Sequence, residues 1–389
     1  MYFPTRVVLL AGLLIGISTI VSAQGGKSDL GRLLDQGEDL YGRDQKAAIA
    51  VFKRGLRRAE LTSDLQYQAT FANRLAACLS SDYRFKEARP YAQRALAIAQ
   101  RMGRDDLAAI SLMELCTVDG HSGGDTRKAG KECRESYEIF RRLGSEQDAA
   151  IALSRLAVVQ IDIGAYRAAL NTLDPLLQGA YDAHAQHVYL QYLGKLFLLL
   201  GQYEKAASYL EKAIRDMPSE GVDCGTYANQ GEALLGLHRD DKAAWAFQTA
   251  LTLCGGTPYH QDAVRMSVGK MFLERQDPRA YEIMAPVQRP LHRARLELLK
   301  KRFAASQKHF KEAAQDSVTI SDSIAAYAGL GQASEGLGDK VAAQRGFMLA
   351  CAKIEATRDG LPTEYQDSYM AGADSGFVRS EVCAAYRRY

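Results

Sequence analysis

Between His187 and Pro218 apolar residues recur at steps of three and four: Leu190, Leu193 and Phe197, then, after the break Leu200-Gly201-Gln202, Ala206 and Leu210. That period puts each set on one side of an α-helix, and the glycine-centred break joins the two helices into a hairpin. A single hairpin leaves its apolar face uncovered. It is stable only when stacked on further copies.

The copies are present along the whole chain. The small residue corresponding to Ala206 is Ala48, Ala88, Ala129, Ala169, Ala206, Ala243, Ala280, Ser306 and Ala343, at spacings of 40, 41, 40, 37, 37, 37, 26 and 37. The wider early spacing predicts longer helices or loops in the first repeats. The drop to 26 falls where Pro286 and Pro290 interrupt the seventh hairpin, and a helix cannot run undisturbed through such a pair. A kink or hinge is expected at 286–290. Beyond Gly360 and Pro362, the tail from Glu364 to Tyr389 reads as one or two short amphipathic helices covering the last repeat.

Leu190, Leu193-Gly194, Phe197, Ala206, Leu210 and Pro218 follow the tetratricopeptide pattern nearly throughout, and the chain resembles that family. The pattern places Gly194 opposite Ala206, so that two helix backbones approach closely. The resemblance implies an all-α, right-handed superhelical solenoid of about nine helix-turn-helix repeats with a C-terminal cap. The expected division is an array over 24–285, the kink at 286–290, two further repeats over 291–358 and capping helices over 359–389.

The first residues, MYFPTR, precede an apolar run from Val7 to Val21 and then Ser22-Ala23-Gln24. A cationic start, a short apolar core and small residues before Gln24 predict a secretory signal peptide over 1–23, cleaved after Ala23. A periplasmic or secreted protein is expected, the alternative being an N-terminal membrane anchor. No later stretch is apolar enough to span a membrane. With 49 Lys and Arg against 46 Asp and Glu the net charge is +3, which implies no bulk polyanion such as nucleic acid as partner.

Seven cysteines in an exported chain invite disulfides, with an odd one over. Two residues equidistant from a hairpin turn lie at equal height. Cys224 and Cys254 are centred on the turn at Arg239, and Cys116 and Cys133 on the Gly123 to Asp125 loop. Cys351 with Cys383 is a third pairing, leaving Cys78 free. The alternative is that most are small buried residues.

Gly120-His121-Ser122-Gly123-Gly124 matches the nucleophile elbow G-x-S-x-G. That motif activates serine on a strand-to-helix turn, whereas here helical repeats flank it, so it reads as a connector between the helices of the third hairpin. Cys116, His121 and Cys133, with Asp119 and Asp125, fit no common zinc spacing. No phosphate loop, calcium loop or zinc-protease motif occurs, and neither a metal nor a cofactor is expected. The basic helix Arg289 to Phe303 sets Arg289, Arg293 and Lys300 on one face with Arg295 and Arg302 beside it. It reads as a solvated outer face, or else as a dock for an acidic partner.

In the family it resembles, the first helix of each hairpin lines an inner surface that binds peptides or partner helices. Carried over by register, that surface comprises Asn73, Arg74, Ser154, Gln191, Lys195, Asn229, Glu232, Met266, Lys270, Gln332 and Glu335. The Lys and Asn set with which some relatives clamp a terminal carboxylate is not reproduced. The sequence therefore points to a non-catalytic scaffold or adaptor holding a peptide or partner protein, in cell-envelope assembly or signalling. The alternatives are a sensory arm of a signalling complex and a serine hydrolase using Ser122.

Overall fold

A computed structural model describes residues 28–41, 44–82, 84–121, 126–216, 224–253, 258–274, 279–317, 319–374 and 376–389, the side chains of 121, 126, 258–260 and 274 excepted. The segment 1–23 lies outside them. Eighteen helices pair in chain order into nine hairpins among the described residues. The first three are α1 (Asp29–Leu40) with α2 (Gln45–Leu61), α3 (Leu65–Ser81) with α4 (Phe85–Met102), and α5 (Asp105–His121) with α6 (Thr126–Arg142). The fourth to sixth are α7 (Glu146–Asp162) with α8 (Tyr166–Leu173), α9 (Ala183–Leu199) with α10 (Tyr203–Arg215), and α11 (Cys224–Gly236) with α12 (Asp240–Leu253). The last three are α13 (Pro258–Glu274) with α14 (Arg279–Met284), α15 (Pro290–Leu299) with α16 (Phe303–Gln315), and α17 (Ile320–Gly336) with α18 (Lys340–Asp359).

The rhythm of small residues is the packing rhythm. All nine, from Ala48 to Ala343 and including Ser306, have no exposed surface. Each allows the close approach of a neighbouring helix, and the residue four positions on is Phe52, Leu210, Phe247, Met284, Phe310 or Phe347 in six hairpins, every one buried. Gly194 does not face Ala206 but this larger residue: a Cβ at Gly194 would lie 2.4 Å from Cγ of Leu210. The small position on the first helix makes room for the large one on the second.

First helices of successive hairpins pack directly on one another, whereas second helices of neighbouring hairpins barely touch. The stack therefore curves with α3, α5, α7, α9, α11, α13, α15 and α17 on its inner side. In the seventh hairpin α14 has six residues, and Pro290 opens α15. The intervening backbone is anchored: buried Asp262 accepts hydrogen bonds from the amides of Gln288 (2.8 Å) and Arg289 (2.7 Å). No helix among the described residues is long and apolar enough to cross a membrane.

The tail adds a strand ribbon to two short helices. It comprises α19 (Thr363–Ala371), a two-stranded ribbon of β1 (Ala373–Asp374) and β2 (Phe377–Val378), and α20 (Arg379–Arg387). The strands pair antiparallel, Ala373 opposite Val378 and Asp374 opposite Phe377. Two-residue strands carry no readable alternation, so the ribbon has no sequence signature. Nor does the tail cover only the last repeat. It reaches the turns of the fourth and fifth hairpins: Arg167 donates to the carbonyl of Leu361 (3.0 Å), Tyr166 meets Tyr369 edge to face at 5.9 Å, and Tyr365 meets Phe197 at 6.1 Å. Gly201, with φ +72°, lies so close to α19 that a Cβ there would sit 2.2 Å from the carbonyl oxygen of Ser368. One hydrophobic cluster accordingly runs from Ala150 through hairpins four, five, eight and nine to Ala385 in the tail.

Candidate binding surface on the inner helices

The inner helices carry polar residues at matched heights, and these bridge one hairpin to the next. Arg74 of α3 pairs with Glu38 of α1 at 2.5 Å, and Ser111 of α5 donates to Asn73 of α3 at 2.9 Å. Lys195 of α9 pairs with Asp162 of α7 at 2.7 Å, and Thr226 of α11 donates to Gln191 of α9 at 3.0 Å. Ser267 of α13 donates to Glu232 of α11, and Arg289, at the head of α15, pairs with Asp322 of α17 at 3.1 Å. The result is a polar ladder along the inner face. Its carboxylates are half-withdrawn from water: burial pushes Glu38, Glu114 and Asp322 above the ordinary carboxylate range, against the pull of Arg74 on Glu38, of Arg155 and Arg74 on Glu114, and of Arg289 on Asp322.

The expected groove residues divide accordingly. Asn73 and Ser154 are buried; Ser154 donates back to the carbonyl of Ala150 at 2.8 Å, a bond within its own helix. Met266 is also buried, packed with Met284, Val287 and Leu296. These three belong to the packing rather than to an accessible face. Arg74, Gln191, Lys195 and Glu232 are rungs of the ladder, and Asn229 is half-buried. Lys270, Gln332 and Glu335 are exposed, and Glu335 accepts a hydrogen bond from Tyr389 at 3.1 Å. Gln332 and Glu335 border an open hollow of about 300 Å³ between α17 and α20.

Near the N-terminal end, Thr70, Asn73, Arg74, Ala77, Ile110 and Glu114 surround a small depression. Nδ2 of Asn73 is buried there without a hydrogen-bond partner among the described residues. Glu114 was legible in the register, since it precedes Ala129 by the interval at which Gln191 precedes Ala206 and Asn73 precedes Ala88. Arg295 was legible likewise: it precedes Ser306 by the interval from Lys195 to Ala206. The basic helix is therefore not an outer face alone. Arg293 is exposed and Arg302 pairs with Glu297 at 3.5 Å, but Arg289 and Arg295 face inward.

The third hairpin is tighter than its sequence suggests. α5 continues through Asp119 and Gly120 to His121, and buried Asp119 pairs with Arg89 (3.0 Å) and Lys128 (2.6 Å). Ser122 and Asp125 lie outside the described residues. Cys116 and Cys133 are joined in a disulfide, so neither thiolate is free to ligate a metal, and Cys351 is joined to Cys383. Cys224 is also disulfide-bonded, and Cys254, its expected partner, lies outside the described residues. Cys78 is a buried free thiol, its pKa pushed far up by burial.

No protein-family model matches the sequence, and no curated protein does. Solved structures do match. The chain is similar to the apo form of the quorum sensor NprR from B. thuringiensis, at 12% identity over 84% of this chain and 87% of that one, with a TM-score of 0.50. It is also similar to NprR in complex with its cognate peptide NprX, at 14% identity over 75% of this chain and 87% of that one, with a TM-score of 0.54. The fold is a tetratricopeptide-like, all-α solenoid. Identities this low speak to the fold alone.

Proposed function

We propose that this solenoid is an exported, non-catalytic scaffold that holds an extended or helical segment of another protein against its inner helices. The observation that carries the reading is the row of groups at one hairpin position, Lys195, Glu232, Lys270, Arg295 and Gln332, on successive inner helices. A row of mixed polar and charged groups at repeat spacing, of which Lys270 and Gln332 are exposed, suits a linear ligand, because a bound segment passes one such group per repeat. The complex of NprR with its cognate peptide is a precedent in this fold. Export is supported by the stretch over 1–23 and by the disulfides, which persist in oxidising compartments.

A sensory arm hinged at 286–290 is the weaker reading, because Asp262 holds that segment by two backbone hydrogen bonds. A hydrolase at Ser122 has little support, since neighbouring Asp119 is engaged by Arg89 and Lys128. The test is affinity capture from cell-envelope extract with the wild-type chain and Lys270→Glu. A discrete partner lost with the variant supports the scaffold; equal recovery by both removes Lys270 from the surface.

A further inference from the structure

The overall charge of +3 conceals a separation of charge within the first three hairpins. Their outer helices α2, α4 and α6 carry fifteen Lys and Arg against five Asp and Glu, whereas their inner helices α1, α3 and α5 carry two against eight. The six later outer helices, α8, α10, α12, α14, α16 and α18, carry twelve against eight. The excess of positive charge is local to one face at one end of the array.

The cations of that face are in register. Lys46, Lys86 and Arg127 each stand two residues before the small packing residue of their helix, and Arg101 and Arg142 each stand thirteen after it. At about 1.5 Å of rise per residue, the two rows lie roughly 22 Å apart. Lys46, Lys86, Arg101, Lys131 and Arg142 are exposed and make no hydrogen bond or ion pair among the described residues. Gathering unpaired charges of one sign opposes folding and favours an external polyanion.

The second row also carries apolar groups. Leu61 holds the register of Arg101 and Arg142, and Leu143 directly follows Arg142. Leu61 is 80% exposed and Leu143 50%, so two leucines stand in water beside guanidinium groups. A soluble polyanion would take the arginines and leave the leucines wet. A bilayer takes both, its headgroup phosphates meeting the cations and its acyl boundary the leucines.

We infer that the outer face of the first three hairpins docks on the surface of an anionic phospholipid bilayer, with Leu61 and Leu143 entering between the headgroups. This goes beyond the scaffold reading and does not rest on it, since the docking face is the one opposite the inner helices. The tail is bound elsewhere, over the fourth, fifth and ninth hairpins. A protein docked in this way keeps its inner surface turned away from the membrane.

The test is co-sedimentation with vesicles of the chain from Gln24, which holds every described helix and omits the apolar run that would bind lipid by itself. The expected result is retention by vesicles of equal parts phosphatidylglycerol and phosphatidylcholine, none by phosphatidylcholine alone, and release as salt is raised. Combining Lys46→Glu, Lys86→Glu, Lys131→Glu and Arg142→Glu should weaken retention a hundredfold or more, at about fivefold per cation. The same number of reversals at exposed cations of later outer helices, Lys242→Glu, Lys308→Glu, Lys340→Glu and Arg345→Glu, should weaken it far less. Leu61→Ser with Leu143→Ser should lower retention by vesicles roughly tenfold and leave binding to soluble polyphosphate unchanged. The leucine pair keeps the inference testable if the reversed chain melts early. Absence of retention on the anionic vesicles, equal retention on both vesicle types, or equal loss from the two sets of reversals would overturn it. Polyphosphate binding with vesicle retention indifferent to the leucines would assign the face to a soluble polyanion and overturn the bilayer as its partner. None of these results alters the scaffold reading, whose ligand is held on the other face.

Discussion

Arg379 donates a 2.8 Å hydrogen bond to the carbonyl oxygen of Leu199, 180 residues earlier in the chain. The same guanidinium donates to the carbonyl of Tyr369 (2.8 Å), lies over that residue's ring at 4.0 Å, and meets both carboxylate oxygens of Asp374 at 2.7 and 2.9 Å. Both side chains of the pair are fully buried. A repeat array otherwise holds each hairpin only by its neighbours, and this contact ties the tail to the fifth hairpin.

Truncating one member of that pair strands the other charge in the interior. Arg379→Ala is expected to destabilise the docked tail by about 4 kcal/mol. Hydrogen exchange should then report faster exchange in α19, α20 and the turn at Gly201, with α1 to α6 unaffected. Replacing both partners, Arg379→Met with Asp374→Leu, should recover part of the loss.

The two located disulfides close loops of 17 and 32 residues. On chain-entropy grounds each stabilises by about 3 to 4 kcal/mol. Cys383→Ser should lower the thermal midpoint and loosen α20, while Cys133→Ser should loosen the third hairpin and leave the tail docked. Limited proteolysis with peptide mapping separates the two outcomes.

Lys195 was expected to face a partner, but its partner is Asp162, a buried carboxylate. Lys195→Glu would therefore set two carboxylates against each other and is expected to destabilise the junction of α7 and α9 by about 3 kcal/mol. Lys270→Glu, at an exposed position, should cost far less, within about 1 kcal/mol. Chemical denaturation of the two variants checks the contrast.

His292 is held neutral, its pKa well below 6.5 through burial and the positive charges of Arg295 and Arg289. A histidine whose folded pKa is depressed contributes stability that is complete above the unfolded value and is lost as pH falls below it. Stability should decline between pH 7 and 5. His292→Leu should flatten the decline by up to about 1.4 kcal/mol per pH unit. A residual slope is expected from His184, whose pKa is also lowered by burial.

The hairpins were legible because the positions that define them are set by packing: nine small residues at repeat intervals, each without exposed surface. The inner surface was less so. Register places Lys195, Glu232 and Lys270 on inner helices, but whether a polar group is offered or engaged depends on the next repeat. Asp162 and Ser267, which engage Lys195 and Glu232, lie 33 and 35 residues away from them. Ser154 and Met266 hold the same register as Gln191, three residues before the close-packed small residue of their helices, and are nonetheless buried, so register alone does not tell an offered position from a packed one. The reach of the tail to Leu199 was not readable, because the curvature that brings residues 180 apart together accumulates over five repeats.

The scaffold function proposed above requires that a ligand segment lie along the inner helices. A photo-crosslinking amino acid placed at Lys270 on α13, and separately at Trp245 on the outer helix α12 where the side chain is 60% exposed, tests it most directly. Irradiation in envelope extract should give a discrete adduct from position 270 and none from position 245. Adducts from position 245 alone, or the same adducts from both, would contradict the inner-face account.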